Sequence, residues 1–435
     1  GNVEVAMNLK RLEQTWRELN QIGYSDKGVM RLAYTPQERQ AVRRLAMMCE
    51  ARGMSVRMDA SGNLIARREG QEPHLPAVAS GSHLDAVFEG GSYDGIIGVV
   101  AAFEAVCSLD DQGIVTKHPI EIICFACEES SRFGVSTVGS KAMIGDLDID
   151  GVAGLQDHDG KTFRDALSEC SLNGWPLTEA ARGAEELKVF LEMHIEQGPI
   201  LEKAGIQVGI VHGIAAPTRL QVRIQGKASH TGTTPMDQRQ DAFLAAAEIG
   251  LILEEAALAE REHGTVGTVG VCVVKPGAMN VVPDTAELKI DIRGTNVSSK
   301  ANVLKKLYAG FRHMEAKRGV TVEWTLLSDE QPVLLSEAVT QSLEESCQVL
   351  GISYLKMASG AGHDAMNMAR RWPTGLIFVP SKDGVSHHRE EYTSWEQIGV
   401  GALLLEQEIK KWAVVLDANE KPHPEGHPKQ MGESA

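Results

Sequence analysis

The chain of 435 residues is long enough for roughly two to three domains of about 150 residues each. Its 43 Lys and Arg residues against 59 Asp and Glu residues give a formal net charge of −16, which argues against a nucleic acid or an anionic membrane surface as the main partner. We expect neither a transmembrane helix nor a signal peptide, because the apolar runs are short and no basic region precedes an apolar stretch. The seven scattered cysteines favour reduced thiols in a cytoplasmic protein.

Strand and helix patterns alternate over residues 1–212. Apolar strand-like runs occur at 55–59, 63–67, 76–80, 119–126 and 187–194, and helical patterns such as 98–109 lie between several of them. Buried strands separated by helices are typical of an α/β sheet with helices on its faces. The same pattern resumes late in the chain, with helices at 336–350 and 394–414 on either side of a strand at 375–380.

Residues 213–328 follow a different pattern. Strands at 219–226, 265–275, 285–293 and 320–327 and helices at 240–262 and 299–318 occur in the order β-α-β-β-α-β, which is typical of a ferredoxin-like unit. The predicted fold class is therefore α/β with two domains. A discontinuous domain with a mixed sheet flanked by helices comprises residues 1–212 and 329–435, and an inserted α+β domain comprises residues 213–328.

Acidic residues and histidines cluster in the turns that follow the strands of the first domain. Because α/β proteins bind ligands at the carboxyl ends of their strands, these turns form the candidate site. The side chains concerned are His83, Asp85, Asp94, Glu128, Glu129, His194, and His387 with its neighbour His388.

Imidazole and carboxylate groups together suit Zn, Mn, Co or Ni. Two such metals sharing a bridging carboxylate would activate a water molecule and hold a tetrahedral intermediate. In the adjacent pair Glu128 and Glu129, one carboxylate could be a ligand and the other a general base, and a pair of solvated loop acids is the alternative. A phosphate loop at 90–95 is disfavoured because no GK[ST] or GxGxxG pattern follows the strand. The CxxC of Cys124 and Cys127 lies in an apolar strand, which favours core packing over a zinc or redox site.

Six motifs in one order resemble those of the hydantoinase/carbamoylase family of amidases. They are GSHLD (81–85), GGSYDG (90–95), EESSRFG (128–134), HIEQG (194–198), GAGHDA (360–365) and GVSHHREEYT (384–393). That family includes N-carbamoyl-L-amino-acid hydrolase, β-ureidopropionase and allantoate amidohydrolase. It belongs to a superfamily of co-catalytic dimetal aminoacylases and exopeptidases, which implies that residues 1–212 and 329–435 form a catalytic domain.

The resemblance implies two divalent metal ions per subunit, zinc first, with manganese, cobalt or nickel as alternatives. His83 and His194 resemble terminal ligands of one metal each, and Asp94 resembles the bridging carboxylate. Glu129 and His387 resemble the remaining ligands, with Glu129 sharing a metal with either His83 or His387, and His388 is the alternative to His387.

The same resemblance implies roles for further residues. Glu128 resembles the general acid/base, and Asp85 resembles the residue that orients His83. The inserted domain resembles the family's lid and dimerisation domain, which implies a homodimer. In it, His230 matches a residue that stabilises the oxyanion in the site of the other subunit. The substrate-binding positions implied by the motifs are Gln197, Asn280, Arg293 and Gly360, with His230.

The resemblance implies hydrolysis of the carbamoyl (ureido) C–N bond of an N-carbamoyl-L-amino acid or a similar ureido acid, to the amino acid, ammonia and carbon dioxide. The expected partner is this small molecule, with no nucleic acid and no membrane. Allantoate amidohydrolase and β-ureidopropionase are alternatives, as is a dipeptidase or aminoacylase with the same metal site. A non-catalytic metal-dependent binding protein would lack a ligand or the base, whereas every position is filled in this sequence.

Overall fold

A computed structural model of the protein describes residues 7–173 and 176–414, and it divides into two compact units. The first comprises the described parts of residues 1–212, 335–357 and 363–435, and the second comprises residues 213–334 and 358–362. The insertion predicted at 213–328 falls within the second unit.

The elements that begin before residue 213 are α1 (Leu9–Asn20), β1 (Tyr24–Ser25), β2 (Gly28–Val29), α2 (Pro36–Ala51), β3 (Ser55–Met58), β4 (Leu64–Arg68), β5 (Ala77–His83), α3 (Ile96–Asp111), β6 (Ile120–Phe125), α4 (Val138–Met143), α5 (Ile149–Ala153), α6 (Phe163–Glu169), β7 (Leu187–Ile195), α7 (Ile200–Ala204) and β8 (Val208–Ile214). The next elements are β9 (Ala216–Gln225), β10 (Ser229–His230), α8 (Ala242–Ala259), β11 (Val266–Lys275), β12 (Val281–Val282), β13 (Thr285–Gly294), α9 (Val297–Arg318), β14 (Thr321–Asp329) and β15 (Val333–Leu334). The chain continues with α10 (Glu337–Leu350), β16 (Tyr354–Ser359), α11 (Asp364–Met368), β17 (Thr374–Val379) and α12 (Trp395–Ala413).

The first unit is built around a mixed sheet, which confirms the predicted α/β class. Seven of its nine strands lie in the order β3-β4-β6-β5-β7-β17-β8, and β15 and β16 pair with β8. The four central strands, β6, β5, β7 and β17, are parallel, and β4 and β8 are antiparallel to their inner neighbours. β5, β6 and β17 are buried along their whole length, because helices such as α3 and α12 cover the sheet. The carboxyl ends of the parallel strands therefore meet at one edge.

The second unit has the predicted β-α-β-β-α-β order. Its antiparallel sheet has the strand order β11-β13-β9-β14. Alternate residues of β9 and β13 are buried against α8 and α9, including Leu220, Val222, Leu288 and Ile290. The opposite face of these strands carries polar side chains and is more exposed.

Two expectations from composition can be compared with the described residues. No helix among them is both long enough and apolar enough to cross a membrane. All seven cysteines are free, and Cys124 and Cys127 are buried among apolar side chains, which agrees with core packing.

Candidate metal centre

The parallel strands of the first unit bring the predicted ligands to one edge of the sheet. His83 is the last residue of β5, and His194 lies near the end of β7. Glu128 and Glu129 follow β6, and His387 follows β17. Asp94 lies in the loop just before α3, where Gly95 has a φ of +76°. A Cβ atom on Gly95 would lie 2.4 Å from Cε1 of His83, so this loop can approach the imidazole only with glycine there.

The carboxylate of Asp94 lies at the centre of this cluster. Its Oδ1 atom is 3.0 Å from Nε2 of His194 and 3.4 Å from Nε2 of His83. Its Oδ2 atom is 3.1 Å from Nε2 of His387, and Glu129 Oε1 lies 3.5 Å from the same nitrogen. Two groups that could each hold a metal ion therefore share Asp94: His83–Asp94–His194 and Asp94–Glu129–His387.

The pairing of the ligands stays a prediction. His83 and His194, predicted on one metal each, both face Oδ1 of Asp94, but each also belongs to a candidate group without the other: His83–Glu128–Glu129 and Glu192–His194–His363. Glu129 belongs to one candidate group with His387 and to another with His83, and its 3.5 Å contact with Nε2 of His387 favours the first of the two predicted alternatives. His387 adopts a φ of +56° and turns towards Asp94, while the Nδ1 atom of the exposed His388 accepts a hydrogen bond from the N–H of Glu390. His387 rather than His388 thus joins the cluster.

The donors fit divalent cations. Nε2 of His83 is buried and makes no hydrogen bond within the described chain, although Asp94 Oδ1 and Glu128 Oε2 are close. Burial alone would raise the pKa of Asp94, but the adjacent imidazoles of His194, His387 and His83 hold that pKa well below its usual value. Imidazole nitrogens directed at a shared carboxylate are the arrangement expected of a two-metal site.

Glu128 lies beside both groups. Its Oε2 atom is 3.3 Å from Nε2 of His83, and its side chain is almost fully buried. Burial raises the pKa of Glu128 well above its usual range; the positive charge on His83 opposes this shift, and the neighbouring Glu129 adds to it. A buried carboxyl group with a raised pKa can both accept and donate a proton near neutral pH.

Asp85 contacts both His83 and the segment that carries the two glutamates. The Nδ1 atom of His83 lies 2.8 Å from the backbone carbonyl oxygen of Asp85 and 3.5 Å from its carboxylate. The carboxylate accepts hydrogen bonds from the backbone N–H groups of Glu128, at 3.2 Å, and Glu129, at 2.9 Å. The shorter contact of Asp85 with His83 is therefore the one through its carbonyl oxygen, and its carboxylate binds the segment that carries the two glutamates.

Two further residues of the first unit contact the cluster. The side-chain amide of Gln197 donates a hydrogen bond to the Ser386 hydroxyl at 2.8 Å and lies 3.4 Å from Nε2 of His387. The sequence does not single out Glu391, although its carboxylate is buried and contacts the backbone of Asp94 and His387. In the sequence, only its position four residues after His387 could have indicated that Glu391 lies near the cluster, and its neighbour Glu390 is exposed.

The predicted substrate-binding residues of the second unit form two separate sets, Arg293 with Gly360 and His230 with Asn280. Arg293 donates hydrogen bonds to the carboxylate of Asp291 at 2.8 and 3.1 Å and to the carbonyl oxygen of Gly360 at 3.1 Å. His230 and Asn280 lie in adjoining, exposed segments, because β10 pairs with β12 and the Thr231 N–H donates to the Asn280 carbonyl. No contact joins either of them to Arg293 within the described residues.

Comparison with known proteins shows which family the chain belongs to. The model of the peptidase family M20/M25/M40 matches residues 79–411. An N-carbamoyl-L-amino acid amidohydrolase of Geobacillus stearothermophilus is 40% identical over 397 residues, which cover 90% of this chain and 96% of the relative. A ureidoglycolate hydrolase of Oryza sativa subsp. japonica is 38% identical over 381 residues, covering 87% of this chain and 79% of the relative.

A solved structure shows the same similarity in three dimensions. The crystal structure of a hydantoinase/carbamoylase family amidase from Burkholderia multivorans superimposes with a TM-score of 0.87 at 32% sequence identity. The match covers 94% of this chain and 98% of that structure. These similarities confirm the resemblance predicted from the six motifs.

Proposed function

This chain belongs to the peptidase family M20/M25/M40 and to its hydantoinase/carbamoylase amidases, and we propose that it hydrolyses a ureido acid. The proposed substrate is an N-carbamoyl-L-amino acid, and the products are the amino acid, ammonia and carbon dioxide. The proposed cofactor is a pair of divalent ions, zinc first, with manganese, cobalt or nickel as alternatives. The observation that carries the proposal is the shared Asp94 between two ligand groups, with the buried Glu128 beside them.

The proposed mechanism assigns the proton transfers to Glu128. Two divalent ions, when bound, would lower the pKa of a water molecule and polarise the carbamoyl oxygen. Glu128 accepts a proton from the water as its oxygen attacks the carbamoyl carbon, and then donates that proton to the amino-acid nitrogen as the C–N bond breaks. The carbamate released decomposes to ammonia and carbon dioxide. The burial of Glu128 and its raised pKa support both transfers.

The substrate class can be tested with a panel of amides. We expect ammonia release from N-carbamoyl-L-amino acids to have the highest kcat/KM, with carbamoyl-β-alanine, allantoate and ureidoglycolate as the competing ureido substrates. Dipeptides and N-acyl amino acids should be hydrolysed more slowly. Efficient dipeptide cleavage without ammonia release from any ureido acid would instead favour the dipeptidase or aminoacylase alternative.

Arg293 is proposed to hold the substrate carboxylate. A guanidinium group binds a carboxylate through two parallel hydrogen bonds, and Asp291 orients this one. Arg293→Ala should raise KM by about 10- to 100-fold, the equivalent of a hydrogen bond to a charged group, with a smaller change in kcat. Steady-state kinetics would check this, with Arg223→Ala as the control, because Arg223 is an exposed cation on β9, the strand that pairs with the strand of Arg293. An unchanged KM in Arg293→Ala would contradict the assignment.

We further propose that the chain forms a homodimer through its second unit. β11 is an edge strand of the four-stranded sheet, with exposed Val271 and Val273. Next to it, α8 exposes Leu251, at 66%, and Leu258 one heptad later. Within the described residues β11 pairs on one side only, and this edge beside the exposed leucines of α8 suits antiparallel pairing with the same strand of a second copy across a twofold axis.

Light scattering during size-exclusion chromatography would test this proposal. We expect twice the mass of one chain for the wild type and a single-chain mass for the double variant Leu251→Glu/Val271→Lys, because the introduced charges would be buried at the interface. Val349→Lys, at an exposed valine of the first unit, is the control and should stay dimeric. A wild type with the mass of one chain would refute the proposal.

A further inference from the structure

Glu391 connects the two loops that carry Asp94 and His387. Its Oε1 atom accepts hydrogen bonds from the backbone N–H groups of Tyr93, at 3.1 Å, and Asp94, at 2.9 Å. Its Oε2 atom accepts hydrogen bonds from the Ser386 hydroxyl, at 2.8 Å, and from the His387 N–H, at 3.3 Å. One carboxylate thus binds the backbone of two proposed metal ligands that are almost 300 residues apart in the sequence.

The surroundings of Glu391 leave this carboxylate little freedom. The residue is only 3% exposed. A Cβ atom on Gly91 would lie 2.3 Å from Oε1, so the glycine in the GGSYDG motif permits the approach of Glu391 to the Asp94 loop. On the other side, the Ser386 hydroxyl that donates to Glu391 also accepts a hydrogen bond from Gln197. The carboxylate therefore belongs to a continuous hydrogen-bonded path from Gln197 to Asp94.

The two ligand groups depend on this path to different degrees. His83 and His194 lie in strands β5 and β7, so the sheet itself fixes their backbone. His387 lies in a loop, with a φ of +56° that is costly for a residue with a side chain, and its ring is half exposed. Its backbone N–H bonds to Glu391, which therefore links the backbone of the His387 loop to the backbone of the Asp94 loop.

We propose that Glu391 is a positioning residue for the Asp94–Glu129–His387 group, because it fixes the distance between the Asp94 and His387 loops. The proposal rests on the metal cofactor of the proposed function. The buried carboxylate of Glu391 is costly as a charge, and bound divalent ions would compensate that charge. Loss of Glu391 should therefore weaken metal binding by the Asp94–Glu129–His387 group more than metal binding by the His83–Asp94–His194 group.

The test measures metal binding rather than turnover. Metal-depleted wild type, Glu391→Ala and the exposed-site control Glu390→Gln would be titrated with Zn²⁺ against a chromophoric chelator. We expect two ions in the wild type and the control. In Glu391→Ala we expect one ion of nearly unchanged affinity and a second whose Kd is about 10- to 100-fold higher. Glu391→Gln can still accept the Asp94 N–H through its amide oxygen but has only one acceptor atom, so its second Kd should be intermediate.

A purely structural role would give another pattern. If the role of Glu391 were purely structural, Glu391→Ala would lower the Tm of the metal-depleted protein and weaken the binding of both ions equally. That result would overturn the proposal, as would a Kd of the second ion that is unchanged in Glu391→Ala. If Glu391→Ala does not fold, Glu391→Gln supplies the same comparison. A wild type that binds two ions but hydrolyses no ureido acid would refute the proposed function and leave this inference intact. A wild type that binds fewer than two would overturn both.

Discussion

Glu128→Gln is expected to lower kcat by about 100- to 10,000-fold, the usual contribution of a general acid/base, while the variant keeps its metal ions. The reason is geometric: neither group that shares Asp94 includes Glu128, which lies 3.3 Å from His83 and forms a third candidate group with His83 and Glu129. Glutamine keeps the shape and burial of the side chain but cannot accept a proton at neutral pH. Steady-state ammonia release and metal analysis of the same preparations would check the prediction.

Glu390→Gln is the matched control, because it makes the same chemical change at an exposed position of the first unit. It should leave kcat within the error of the wild type. A Glu128→Gln variant that retains wild-type kcat would refute the acid/base role. A variant that loses its metal ions instead would show that Glu128 is a ligand.

Asp94→Asn is expected to lower activity by more than about 1000-fold through a different route, the loss of metal ions. Both oxygens of Asp94 face imidazole nitrogens, Oδ1 towards His83 and His194 and Oδ2 towards His387. An amide offers one oxygen and no negative charge, so neither ligand group remains intact. Metal content per chain should fall below that of the wild type and of Glu128→Gln.

The stability of the Asp94→Asn variant separates a metal effect from misfolding. Metal-depleted wild type and metal-depleted variant should have similar Tm values, and added Zn²⁺ should raise the Tm of the wild type much more. If Asp94→Asn binds two ions as tightly as the wild type, Asp94 is not the shared ligand.

The sequence predicts much of the fold because each element carries a local signal. β5, β6 and β17 are continuous apolar runs, and runs of this kind separated by helices indicate a parallel sheet. The alternating pattern of β9 and β13 identifies the second unit in the same way. The parallel sheet also predicts the position of the site, because residues just after parallel strands meet at one edge of the sheet.

The sequence does not determine which ligands share a metal. His83 and His194 belong to neighbouring strands and face one oxygen of Asp94, a relation that appears only when the sheet is assembled. The choice between His387 and His388 depends on the backbone of the loop, where a φ of +56° at His387 turns that ring towards Asp94.

The sequence also does not indicate which residues from distant segments form hydrogen bonds with each other. The carboxylate of Asp85 bonds the backbone of Glu128 and Glu129, and Glu391 bonds that of Asp94 and His387. Backbone N–H groups are present at every residue except proline, so no residue type marks these contacts in advance.

The most direct test of a metal-dependent ureido-acid hydrolase is reconstitution of the metal-depleted protein. Ammonia release from an N-carbamoyl-L-amino acid would be followed as Zn²⁺, Mn²⁺, Co²⁺ or Ni²⁺ is added back in known molar ratios. Two ligand groups that share Asp94 predict no ammonia release without metal and a rise in rate that ends at two ions per chain. Full ammonia release from protein that contains no detectable metal, in excess chelator, would contradict this account.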